Sequence, residues 1–142
     1  MKLEFELVPD SCWYSNLRSL LSPAQWDAVR RDAYRRAGGR CMICGAENAR
    51  LEAHERWVYD EERQIQKLND VVAVCRSCHE VIHIGRTSLL GGEERAAKHF
   101  MKVNGVNYAA YRKALGEANE AHRRRNNISE WKLDLTFLKR FL

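Results

Sequence analysis

Residues 75–83 read CRSCHEVIH, two cysteines and two histidines within nine positions. Three chemistries use these residue types at such spacings. Cys75 and Cys78, as C-x-x-C, form one arm of a tetrathiolate zinc site. His79-Glu80-Val81-Ile82-His83 is H-E-x-x-H, the helical signature of a zinc protease. Taken whole, the run also fits the last limb of a metal-dependent nuclease site.

A second C-x-x-C, Cys41 and Cys44, lies upstream, with residues 45–74 between the arms. A thioredoxin-like redox motif accounts for one such pair but not for two. Two pairs supply the four thiolates of a tetrahedral structural zinc. The insert is longer than in a simple ribbon, so further structure sits between the arms. The fifth cysteine, Cys12, stands beside Trp13 and reads as a small buried apolar residue. His79 and His83 are four apart on a short helix and project from one side. His54 lies on a strand that the zinc arms would hold opposite that helix. Three histidines converging on one point can bind a second metal and leave positions open for water and substrate. Thiolates then hold the fold, and imidazoles hold the reactive ion.

The elements that position these residues follow from pattern. RLEAHERWVYD and DVVAVC read as short strands around a polar turn-and-loop, DEERQIQKLN. After Cys75 a helix is predicted over about Ser77–Ile84, stopped by Gly85. Upstream, Ser22-Pro23-Ala24-Gln25 is a helix start with capping box and Pro at the first turn. That helix carries Trp26, Val29, Ala33 and Ala37 on one face and ends at Gly38-Gly39. Downstream, GGEERAAKHFMKVNG and NYAAYRKALGEANEAHRRRNN are two more helices, with Ala97, Phe100, Met101 and Val103 as core. His99 and His122, set among charged residues, read as surface or packing histidines. Leu3, Phe5 and Leu7 alternate with charges, as do Trp131, Leu133, Leu135 and Phe137 with polar residues. Both runs have the period of a half-buried strand, and the two could pair.

The chain has 142 residues, 45 % hydrophobic and 30 % charged, which suits one soluble domain with its own core. A net charge of +5 leans toward a polyanionic partner. No run approaches the roughly eighteen apolar residues of a membrane span, so a membrane partner is not expected. MKLEFELVPD lacks the apolar block of a signal peptide. The expected location is the reducing cytoplasm, where paired cysteines usually mean metal.

At this point the chain resembles the HNH endonucleases, whose ββα-metal core sits on a treble-clef-like zinc frame. RCMICG, LEAHER, VVAVCRSCHEVIH and the following IGR carry the resemblance, over about residues 36–86. The architecture it implies is a small α+β single domain over residues 1–142. An HNH core at about 36–86 follows an N-terminal strand and basic helix over 1–37, and C-terminal helices and a strand fill 92–142. The implied activity is metal-dependent hydrolysis of DNA phosphodiester bonds. In that family a histidine activates water, and a metal steadies the scissile phosphate and the leaving oxygen. Carried onto this chain, the catalytic set is His54, Glu55, Asp70 and His79. Cys41, Cys44, Cys75 and Cys78 hold structural Zn2+. His54, His79 and His83 hold a catalytic divalent metal: Mg2+, Mn2+, Ni2+ or Zn2+.

Two departures matter. The family's first motif is usually a metal-binding Asp or His followed by the base histidine, and LEAHER offers one histidine. With Ala53-His54 in that place, His54 is the base. With His54-Glu55, His54 is a ligand and Glu55 the base, the preferred register, since a carboxylate can act as base where its site raises its pKa. The middle motif expects Asn nine residues before the histidine of C-x-x-C-H. That position is Asp70, with Asn69 beside it, and either could orient the base loop by a hydrogen bond.

The protease alternative fares poorly, because a helix anchored at a zinc cysteine is barely two turns long and Glu80 better supports a ligand or faces solvent. DNA is the expected partner, with Arg30, Arg31, Arg35, Arg36 and Arg76 on phosphates; Arg123, Arg124 and Arg125 either extend the footprint or form a solvated helix end. A homodimer is an open option. The rival function is a non-catalytic zinc module that binds DNA or a protein on the same frame, and Glu55 in the base position favours it.

Overall fold

The computed structural model describes residues 1–141. After a single 3-10 turn at Asp10–Cys12 come helices α1 (Leu17–Leu20) and α2 (Pro23–Ala37). A hairpin of strands β1 (Leu51–Asp60) and β2 (Ile65–Cys75) leads into helices α3 (Arg76–Ile82) and α4 (Ile84–Leu89). Helices α5 (Glu93–Asn104) and α6 (Tyr108–Arg125), a short strand β3 (Lys132–Asp134) and a 3-10 turn at Thr136–Phe141 complete the chain.

Local chemistry accounts for most of these boundaries. Ser22 accepts the Gln25 N–H at 3.2 Å while Gln25 accepts the Ser22 N–H at 2.9 Å, so the capping box of α2 is complete. Gly38, at φ 61°, ends that helix in the left-handed conformation. Asn107 caps α6 by accepting the Ala110 N–H.

The sheet has the order β1-β2-β3, with β1 and β2 antiparallel and β3 parallel to β2 at Ile65–Lys67. Its hairpin is longer than the sequence suggests. Most of the expected loop DEERQIQKLN is strand, and residues 61–64 alone make the turn. Gln66 and Leu68 are buried there, and β3 supplies backbone partners that no local pattern reveals. Arg56 opposes Asp70 and Trp57 opposes Leu68, so Asn69 is the extra residue of a bulge.

The hairpin separates two cores. Val72 and Val74 on one face pack with Val81 and Ile82 of α3, Ala97 and Phe100 of α5, and Tyr111 of α6. On the other, Val71 and Ala73 pack with Leu17, with Val29 and Ala33 of α2, and with Phe137. Each such aliphatic side chain, fully buried, contributes on the order of 1.5–3 kcal/mol. Cys12 is buried, as its setting suggested.

Two expected strands differ. Leu3–Leu7 keeps its alternation, with Leu3 buried and Phe5 and Leu7 against the first core, but joins no sheet. Its backbone partners are Ile82 and the Asn104 side chain instead. Of the run 131–137 only Lys132–Asp134 is strand, and it pairs with β2, not with the N-terminus. Among the described residues no helix is long and apolar enough to cross a membrane.

Candidate metal centres

The first centre joins the two C-x-x-C turns. Cys41, Cys44, Cys75 and Cys78 bring their sulfurs within 4.8 Å of one another. The Cys44 and Cys75 sulfurs are 3.7 Å apart. A regular tetrahedron with Zn–S of about 2.3 Å has sulfur–sulfur edges of about 3.8 Å, whereas a disulfide needs about 2.05 Å. The donor set and its spacing therefore suit a structural metal such as zinc.

Each turn points backbone donors at its own sulfur. The Ile43 and Cys44 N–H groups approach Cys41 Sγ at 3.4 Å, and the Cys78 N–H approaches Cys75 Sγ at 3.5 Å. Gly45, at φ 76°, closes the first turn in a conformation that favours glycine. Met42 N–H to Ala73 O, 3.0 Å, ties that turn to β2. Burial opposes ionisation of Cys41, but the donated N–H bonds outweigh it and lower its pKa to about 7. Burial, then the charge of Cys41 and Cys75, pushes the Cys78 thiol up. A bound cation would offset that repulsion. His99 of α5, expected at the surface or in packing, instead places Nε2 3.2 Å from Cys78 Sγ.

The second group is His54, His79 and His83, whose donor nitrogens also lie within 4.8 Å of one another. His54 sits in mid-β1, 4 % exposed, on the face toward α3. The helix expected to carry both other histidines breaks earlier than Gly85: α3 ends at Ile82, His83 leaves helical geometry (φ −95°, ψ 49°), and α4 runs through Gly85. The His83 N–H still reaches His79 O at 3.1 Å. That bond keeps the two rings on one side, their centroids 4.7 Å apart, with His54 at 5.3 and 5.2 Å. Burial, then the neighbouring His54, lowers the pKa of His79. Burial followed by His54, His79 and Arg86 takes His83 down to about 3. Neutral imidazoles are the form that binds metal.

Glu55 is not brought to this group. Side chains alternate along a strand, so Glu55 faces the second core, where its carboxylate accepts the Leu17 N–H. Burial raises its pKa. Asp70 is also elsewhere engaged: it accepts the Val71 N–H at 2.8 Å and lies 3.5 Å from Arg36, while Asn69 is exposed in the bulge. Glu80 of the H-E-x-x-H run pairs with Arg95 and lies 3.8 Å from Arg76.

Two carboxylates that the sequence reading passed over do reach the histidines. Glu6 hydrogen-bonds His54 Nε2, and Glu52 Oε1 is 3.6 Å from His79 Nδ1. Glu52 stands two residues from His54, so the strand period already places both on one face. Glu6 has no such local signal.

The expected phosphate-binding arginines divide. Arg30 pairs with Asp27 at 2.8 Å, and Arg35 and Arg36 share Asp32 at 2.6 and 2.8 Å. They lie on α2, across the hairpin from the histidines; Arg31 is exposed there. Arg76 opens α3, with its side chain 83 % exposed. Arg124 and Arg125 both pair with Glu61. No family model matches the chain, and no curated protein or solved structure matches it either.

Proposed function

We propose that this protein is a metal-dependent endonuclease of the HNH type, hydrolysing DNA phosphodiester bonds on a ββα-metal core framed by zinc. The observation that carries the reading is the convergence of His54, His79 and His83, supplied by a strand and by the end of the short helix that begins at the thiolate cluster. A purely structural role for the thiolate centre gives no reason for a second set of three nitrogen donors beside it. His54, His79 and His83 would hold the second cation, which when bound supplies Lewis-acid stabilisation of phosphate charge. His54 acts as ligand in this reading. The base position next to it is unfilled, since Glu55 serves the Leu17 N–H on the other face. Glu52, half-exposed on the histidine face, is the carboxylate open to water there. Arg86, near enough to lower the proton affinity of His83, and Arg76 supply positive charge for a DNA backbone on this side.

Plasmid cleavage by the purified protein with Mg2+, Mn2+, Ni2+ or Zn2+ tests this directly. Cleavage that disappears in His79→Ala, with zinc content and fold unchanged, is the expected outcome. A second reading, a non-catalytic zinc module that binds DNA or a protein, is favoured by the turn of Glu55 away from the histidines into the second core and by the cover that Glu6 places over His54. Second-metal binding without cleavage under any of these cations would establish it.

A further inference from the structure

The N-terminal segment crosses the histidine group and is pinned on both sides of it. Leu3 is fully buried; its N–H donates to Asn104 Oδ1 at 3.0 Å, and its carbonyl accepts Asn104 Nδ2 at 2.9 Å. Phe5 stacks on Phe100, centroids 4.8 Å apart and planes within 7°. The Glu6 N–H donates to Ile82 O at 2.8 Å, one residue before His83. Backbone and neighbours thus hold the Glu6 carboxylate, 27 % exposed, against His54 Nε2.

We propose that Glu6 is a positioning residue of the histidine metal centre: by engaging His54 Nε2 it leaves Nδ1 as that ring's ligand atom and keeps the ring turned toward His79 and His83. The inference rests on the histidines binding a cation. The donors within 4.8 Å of one another are the three histidines, with Glu6 outside that set, which suits an outer partner better than a fourth ligand. Glu52 stands in the same relation to His79, near Nδ1, leaving Nε2 inward. A carboxylate on the outer nitrogen of a ligating histidine fixes its tautomer and strengthens it as a donor, and losing such a partner typically costs about 10–100-fold in metal affinity. The carboxylate comes from a segment that the C-x-x-C and histidine motifs do not include.

The test uses the full chain with its thiolate zinc in place, titrated with Co2+, and with 113Cd2+ on 15N-histidine-labelled protein. Wild type should take one Co2+ beyond zinc, and 113Cd should couple to His54 Nδ1. Glu6→Gln should weaken that binding by about 10–100-fold while the Co2+ visible band at saturation keeps its intensity. Glu6→Asp should recover part of the affinity, and Glu4→Gln, an exposed neighbour on the same segment, should change nothing. Coupling through Nε2, unchanged affinity in Glu6→Gln, or a weakened Co2+ band marking Glu6 as a ligand would each overturn the proposal. If Glu6→Gln fails to fold, the wild-type coupling and Glu6→Asp still decide. Wild type that takes no cation beyond zinc overturns the metal reading beneath it, a failure seen before any substitution is made.

Discussion

His54 and Glu55 are adjacent in β1 and face opposite cores, and substitutions should report that separation. Glu55→Ala leaves the Leu17 N–H without its acceptor and should lower stability by about 1–3 kcal/mol, with metal content and any cleavage preserved. Loss of cleavage at unchanged stability would return Glu55 to the chemistry. Its titration gives a second check. Burial raises the Glu55 pKa above 4.5, so from about that pH upward the native state holds a proton that the unfolded chain has released. Stability from this group is full below pH 4.5 and is lost as pH rises through the folded pKa. Glu55→Gln should flatten that part of the pH–Tm profile. His79→Ala should abolish binding of the second metal yet leave the thiolate zinc and the fold, because His79 is partly exposed and belongs to the histidine group, not to the thiolate one. Melting as severe as that of a cysteine variant would make the histidines structural.

Helix α3 is where both donor sets meet. Cys75 is its N-cap, Cys78 lies in its first turn, and His79 and His83 follow on its side and end. Seven residues cannot hold a helix in water without tertiary support. Cys78→Ser, or chelation of zinc, should therefore unfold α3 together with the Cys41–Gly45 turn, seen as loss of far-UV ellipticity and amide protection. His99 extends this dependence to α5, since its ring lies 3.2 Å from the Cys78 sulfur. His99→Ala should speed zinc loss to a chelator by up to about tenfold, the low end of what outer partners contribute, while leaving one zinc per chain at equilibrium. Release as slow as wild type would reduce His99 to a packing residue.

Across the molecule, charge is divided rather than pooled. The net +5 includes arginines that α2 has already paired with Asp27 and Asp32, and Arg124 and Arg125 that are paired with Glu61. DNA binding on the histidine side should therefore depend on Arg76 and Arg86 more than on α2. Arg76→Ala and Arg86→Ala should each reduce the slope of log affinity against log salt by about 0.9, one phosphate contact, while Arg30→Ala changes it little. An equal or larger effect from α2 would put the DNA across the other face of the hairpin. Affinity indifferent to salt would favour a protein partner.

What could be read from the chain was short-range. C-x-x-C turns, histidines four apart, the capping box of α2 and the burial of Leu3 are consequences of spacing along a few residues, and each has that form here. The family resemblance put Glu55 at the base position beside His54, whereas the alternation of β1 turns it to the opposite face. The remainder depends on contacts distant in sequence. Glu6 meets His54 across 48 residues, β3 extends the hairpin by pairing with Ile65–Lys67, and His99 reaches a sulfur from another helix. Local periodicity decides which side chains share a face. Which segment then covers that face follows from the packing of both cores, and here that packing places a carboxylate on the histidines.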